Sequence, residues 1–162
     1  MVKKTVSAGI LLAALALLMT TPSCGPASRA DMIKENKTFR LPYGPKQGKA
    51  LIYVVRDNPF GGLVKFNVYV DSMKDSRWMG GCMGGQFIHC YVRPGRHTLY
   101  SKTEGPIASV SISTQAGGVY YVQLAATVGA FVANPLLSLL DSVNGKHQLS
   151  NCREGNQGKT NL

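Results

Sequence analysis

The 162-residue chain carries 18 lysines and arginines against 8 aspartates and glutamates, a formal charge of +10 at neutral pH. That length fits one domain with a core of its own, and the positive balance points to anionic surfaces such as phospholipid headgroups, lipopolysaccharide phosphates or nucleic acid. The bases are scattered, at Lys34, Lys37, Arg40, Lys46, Lys49 and onward, with no run and no recognisable nucleic-acid motif, so nucleic acid is set aside.

Residues 1–23 read as a signal peptide. Lys3 and Lys4 precede an uncharged stretch whose apolar heart is AGILLAALALLM, followed by the small and polar Thr20, Thr21, Pro22 and Ser23. A transmembrane helix needs about 20 apolar residues, and this heart falls short of that. Cys24 follows directly on Ser23, and the junction resembles the lipobox of bacterial lipoproteins. The resemblance implies that Cys24 takes a diacylglycerol on its thiol, becomes the new N-terminus and carries a further acyl chain, several chains being what stable anchoring requires. Thr21 stands where that family usually has Leu, and Gly25, rather than Asp, follows the cysteine, which implies the outer membrane as address, facing the periplasm. The competing expectation is an ordinary signal peptide and a secreted β-domain, with Cys24 unmodified. Cleavage removes two lysines and leaves 139 residues with 16 basic against 8 acidic, a formal +8.

Residues 24–47, punctuated by Pro26, Pro42, Gly44 and Pro45, read as a flexible tether. Period-two patterning then begins. KALIYVVR (49–56) is an apolar, β-branched core strand, stopped by Asp57, Asn58 and Pro59. VKFNVYVD (64–71) alternates, with Val64, Phe66, Val68 and Val70 on one face, and Asp71 ends it by offering its side chain to nearby backbone NH groups. QFIHCYV (86–92), the Pro94-Gly95 turn and HTLYSKT form a hairpin; ASVSIS (108–113) and VYYVQLAATV (119–128) follow as strands. Asn134 as cap with Pro135 at the first helical position predicts a short helix, NGKHQLSNC a turn with a last strand, and 151–162 a polar disordered tail. Gly105 to Leu140 carries no charge, and within it VYYVQLAATVGAFVANPLLSLL (119–140) is long enough to span a membrane. Gln123, Asn134, Gly129 and Pro135 interrupt it, and the strand reading is preferred. The expected fold is mainly β: an antiparallel β-sandwich over 48–150 with one short C-terminal helix.

With Cys24 acylated, Cys82, Cys90 and Cys152 remain. Cys82 and Cys90 are the first candidates for a disulfide, closing a short loop, although spacing leaves either free to pair with Cys152. His89, Cys90, Cys82 and His97 suggest a metal set, but neighbours on a strand point to opposite faces and no paired ligand spacing exists, so neither metal nor cofactor is expected. No Gly-x-Ser-x-Gly elbow or paired carboxylates suggest catalysis, and Ser109, Ser111 and Ser113 read as the wet face of a strand. RWMGGCMGG reads as an apolar loop whose Trp78, Met79 and Met83 form a candidate partner-binding surface, or else fold inward.

The order ALIYVVR, VYVD, RPGRHTL, AGGVYYV and then NGKHQL resembles a family of small bacterial envelope lipoproteins whose shared domain has no assigned function, and is similar to surface-layer β-domains with a Val-Asp strand end and a Pro-Gly hairpin. The resemblance implies a β-sandwich held at a membrane and no chemistry. Two functions follow as expectations. The chain is a lipid-anchored, non-enzymatic binding or assembly module for an envelope protein or anionic polymer, or it is a passive basic protein lying on anionic lipid or polymer.

Overall fold

The structure is a computed structural model that describes residues 25–58, 60–103, 105–128 and 133–159. In chain order its elements are α1 (Arg29–Asn36), β1 (Ala50–Arg56), β2 (Phe66–Val70), β3 (Trp78–Cys82), β4 (Gln86–Val92), β5 (Gly95–Lys102), β6 (Ala108–Thr114), β7 (Val119–Val128), β8 (Ala133–Leu140), α2 (Ser142–Ser150), β9 (Arg153–Glu154) and β10 (Asn156–Gln157). They build two five-stranded sheets in the orders β8-β7-β1-β4-β9 and β10-β3-β2-β5-β6.

The sheets pack face to face. Ile52 and Val54 of β1 meet Phe66, Val68 and Val70 of β2 in a core shared with Ile88, Leu99 and Val122. Strand β1 is apolar at both parities because both of its faces are covered. Its odd residues Leu51, Tyr53 and Val55 join Phe87, Tyr91 and Tyr121 in a second cluster on the outer face, closed by Leu149 of α2 and by Phe39, Leu41 and Tyr43. The molecule thus has a third, thin layer over its first sheet. Alternation in β5 and β6, by contrast, leaves their outer face on the second sheet wetter.

The mainly β, two-sheet architecture is the one the patterning predicts, with local differences. The first sheet is mixed rather than purely antiparallel, since β1 runs parallel to β7, with Ile52 opposite Tyr120, and β4 parallel to β9, whereas the second sheet is antiparallel throughout. Between β1 and β7 the chain builds β2 and β3 of the second sheet, β4 of the first and β5 and β6 of the second, so the expected β4–β5 hairpin at Pro94-Gly95 is instead a passage between sheets, and β7 joins β1 on the side away from β4. Residues 133–140 form a strand, not a helix capped by Asn134. They pair with β7 from Tyr121–Leu140 to Val128–Ala133, on an edge, where Pro135 has no inner ladder bond to lose. The C-terminal helix lies later, in the segment read as a turn. Asp141 caps it, its Oδ1 accepting from the amides of Val143 (2.8 Å) and Asn144 (3.1 Å), which holds that carboxyl down at about 2. Residues 119–128 and 133–140 are therefore two paired strands of a sheet, and no described helix is long and apolar enough to cross a membrane.

The described parts of both expected floppy segments, 25–47 and 151–159, hold regular structure. The supposed tether holds α1, whose cap Ser28 accepts from Asp31 N, and which packs on α2 through His147 and Glu35 (3.0 Å) and through Asn36 and the Val143 carbonyl (2.8 Å). The supposed tail supplies β9 and β10, one to each sheet. Residues 1–23 and Cys24, the expected signal peptide and acylation site, lie outside the described residues.

Candidate functional site

Strand β4 aims Phe87, His89 and Tyr91 at the outer face, and the segment 39–46 straps across them. Tyr53 fastens the strap from beneath: its hydroxyl accepts from Tyr43 N (2.8 Å) and donates to Tyr43 O (2.7 Å). Burial pushes that phenol upward from its ordinary value, so it stays protonated and able to serve both bonds. Tyr91 adds a second fastening through Gly44 O (3.0 Å). The Tyr43 ring then stacks on His89 with centroids 3.9 Å apart, and Lys46 Nζ stands 4.1 Å above the Tyr91 ring centroid.

The tail closes the other side. Tyr43 donates its hydroxyl to Glu154 (2.9 and 3.0 Å to the two oxygens), and this bond raises the phenol's pKa. Gln157 Oε1 accepts from His89 N (3.1 Å), capping the edge of β4 beyond the short ladder with β9. Gly158 is pinned by its amide to Met79 O (2.8 Å), where any side chain would strike the backbone of Trp78 and Met79.

Between strap and tail lies a cleft of about 420 Å³, lined by Lys46, His89, Tyr91, Gln157, Gly158 and Lys159. His89 Nδ1 and Gln157 Nε2 are closed from solvent there with no hydrogen-bond partner. Burial lowers the imidazole pKa from 6.5, Lys46 lowers it further and Glu154 opposes both, so the ring is neutral at neutral pH. The arrangement can bind: it offers two ammonium groups, an amide, an imidazole and aromatic faces.

The residues singled out from the sequence sit elsewhere. Trp78, Met79 and Met83 do not form an open loop. Trp78 and Met79 begin β3, Met79 is 1 % exposed inside the core, and Trp78 Nε1 donates to Asn67 Oδ1 at 3.2 Å. Met83 is half-buried and tied by its amide to Gln86 Oε1 (2.9 Å). The glycines that made the segment look flexible are packing sites: a Cβ at Gly81 would overlap Lys65, and one at Gly80 would strike Asn156 O. Cys82 and Cys90 are buried free thiols, not a bridge. Both face the inter-sheet core, where burial raises each to about 12, and Cys152 is raised to about 11, so all three remain thiols at neutral pH. His97 lies apart from them, bonded through Nδ1 to Asp71 Oδ2 (2.9 Å) and through Nε2 to Arg93 O (2.8 Å). Asp71 serves the strand end across the sheet and not through nearby backbone, its Oδ1 accepting from Thr98 N of β5 (3.1 Å). Among the described residues no three His, Cys, Asp or Glu side chains gather as a metal set.

Sequence reasoning passed over Tyr43, Lys46, Gln157 and Lys159. One signal was present: Phe39, Leu41 and Tyr43 alternate apolar and polar positions inside the supposed tether, the mark of a chain lying against a surface.

Fold and cleft together define a small two-sheet β-domain with an ordered strap. Residues 46–135 match the family described as "Protein of unknown function (DUF2846)", and the chain belongs to that family. It is also similar to an uncharacterized protein of Haemophilus influenzae, 24 % identical over 136 residues that cover 84 % of this chain and 77 % of the relative.

Proposed function

We propose that this chain is a lipid-anchored bacterial envelope protein acting as a non-enzymatic binding module, fastened through Cys24 and binding in the cleft between strap and tail. The observation that carries the reading is the order of Lys3 and Lys4, an uncharged apolar heart too short to span, and Ser23-Cys24 at its end. Gly25 after the cysteine supports an outer-membrane address facing the periplasm. The cleft's two ammonium groups, amide, imidazole and aromatic face support a binding role. Intact-mass analysis of the mature protein tests the anchor: the expected N-terminus is Cys24 carrying several acyl chains, and Cys24→Ser should leave the membrane fraction. A Cys24→Ser form that still sediments with membranes refutes the anchor.

A second reading, a passive basic protein lying on anionic lipid or polymer, is favoured by the formal +8 of the processed chain. Under it, binding to anionic vesicles falls steeply with salt and ignores substitutions in the cleft. Salt-independent affinity excludes it.

A further inference from the structure

Resting on the reading of this chain as a binding module, we propose that the cleft is a site for a phosphate-class oxyanion, gripped between Lys46 of the strap and Lys159 of the tail with Gln157 and His89 at its floor. The two ammonium groups come from segments more than a hundred residues apart and line the same cleft. Among the described residues neither makes an ion pair with a carboxylate. Lys46 is steadied by the Tyr91 ring instead, which holds its charge in place without neutralising it. Glu154, the acid whose charge reaches His89, does not line the cleft, and both its oxygens accept from Tyr43.

The floor carries unmet polar demand. Gln157 Nε2 and His89 Nδ1, both on residues that line the cleft, have no partner in it. An apolar ligand would leave these groups and both lysines unpaired, and a cation would be repelled. A carboxylate offers two oxygens in one plane, whereas a tetrahedral oxyanion offers acceptors in several directions, matching donors that converge from strap, strand and tail. The cleft, at about 420 Å³, leaves room for the group to be carried on a larger molecule, either a lipid headgroup or a free phosphorylated compound.

The test is titration of full-length protein in detergent micelles with inorganic phosphate, followed by calorimetry and by the His89 ring signals in NMR. Saturable binding with movement of the His89 resonances is expected, sulfate competing and chloride at equal ionic strength failing to compete. Lys46→Ala and Lys159→Ala should each weaken binding about tenfold while circular dichroism and melting stay unchanged. Displacement of phosphate by phosphatidylglycerol vesicles assigns the group to a lipid headgroup; failure of vesicles to displace it, with glycerol phosphate succeeding, assigns it to a free ligand. Absence of saturable phosphate binding, equal competition by chloride or acetate, or unaltered affinity in both lysine variants overturns the site. The titration needs no acyl chain, so an unmodified Cys24 would refute the anchor and leave this result standing.

Discussion

Gly145 sits in the middle of α2, where replacing glycine with alanine ordinarily stabilises an exposed helix by about 1 kcal/mol. Here the opposite sign is expected. Gly145 is buried against the sheet, and a Cβ on it would lie 2.6 Å from Tyr121 Cδ2 and closer still to Tyr121 Cβ and Cγ. Those atoms are the stem of a side chain that is 3 % exposed in the outer cluster, stacked on Tyr53 at 5.8 Å between centroids, so they have no free direction in which to move. Overpacking of this kind costs roughly 1–3 kcal/mol and more where the neighbour cannot shift. Against the propensity gain, Gly145→Ala should destabilise the fold by about 1–2 kcal/mol and loosen α2, with Leu149 and the outer cluster following. The assay is the urea midpoint followed by tyrosine fluorescence and circular dichroism, with Gly44→Ala as control, since nothing lies within 4 Å of a Cβ there. A Gly145→Ala protein as stable as the parent or more so would refute the view that α2 is seated on the sheet through its glycine.

Arg56, fully buried, donates to the carbonyls of Val64 (2.6 Å), Gly61 (2.8 Å) and Phe60 (3.1 Å) and lies over the Phe66 ring at 4.5 Å. Arg56→Met should cost about 2–4 kcal/mol and open the 60–64 segment to protease, measured by limited proteolysis and chemical denaturation. His89 should titrate below 6.5 in NMR, and Lys46→Ala should move it upward. Because its folded pKa is depressed, the unfolded chain binds its proton first as pH falls. Stability from this group is therefore full above about 6.5 and declines as pH falls toward the folded value. Cys82 and Cys90 should react with a thiol reagent only after unfolding and Cys152 sooner, because Cys152 is half-exposed; a Cys82–Cys90 bridge in non-reducing peptide mapping would contradict the structure.

What was legible in the sequence was whatever buries a face. ALIYVVR, FNVYV, QFIHCYV and HTLYSKT carry period-two patterning or β-rich composition, and each is a strand of the structure, but the Pro94-Gly95 turn between the last two passes from one sheet to the other instead of closing the expected hairpin. The misreadings share a different cause. Trp78 to Cys82 is a strand whose glycines admit Lys65 and the Asn156 carbonyl, so close packing reads in the sequence as looseness. Asn134-Pro135 has the local chemistry of a helix start, yet eight residues of ladder with β7 override it. Asn144-Gly145 looks like a turn because nothing local announces that Tyr121 will approach from far along the chain.

The candidate site was invisible for a related reason. Of its lining residues, His89 and Tyr91 lie on a strand that was recognised, but Lys46, Gln157, Gly158 and Lys159 come from the two segments read as tether and tail. Short strands such as β9 and β10, two residues each, hold through backbone pairing and the side chains of Glu154 and Gln157, and so leave no hydrophobic period to find. Covering the edge of β4 and closing the cleft are one structural act: Gln157 caps the open amide of His89, and in doing so brings Lys159 into the cleft lined by Lys46. Gln157→Ala should therefore do two things at once, weakening the tail's attachment and reducing any binding in the cleft, whereas Lys159→Ala should reduce binding alone. Hydrogen exchange of the His89 amide separates them: faster exchange in Gln157→Ala but not in Lys159→Ala is expected, and equal protection in both variants would mean that the tail does not guard this edge.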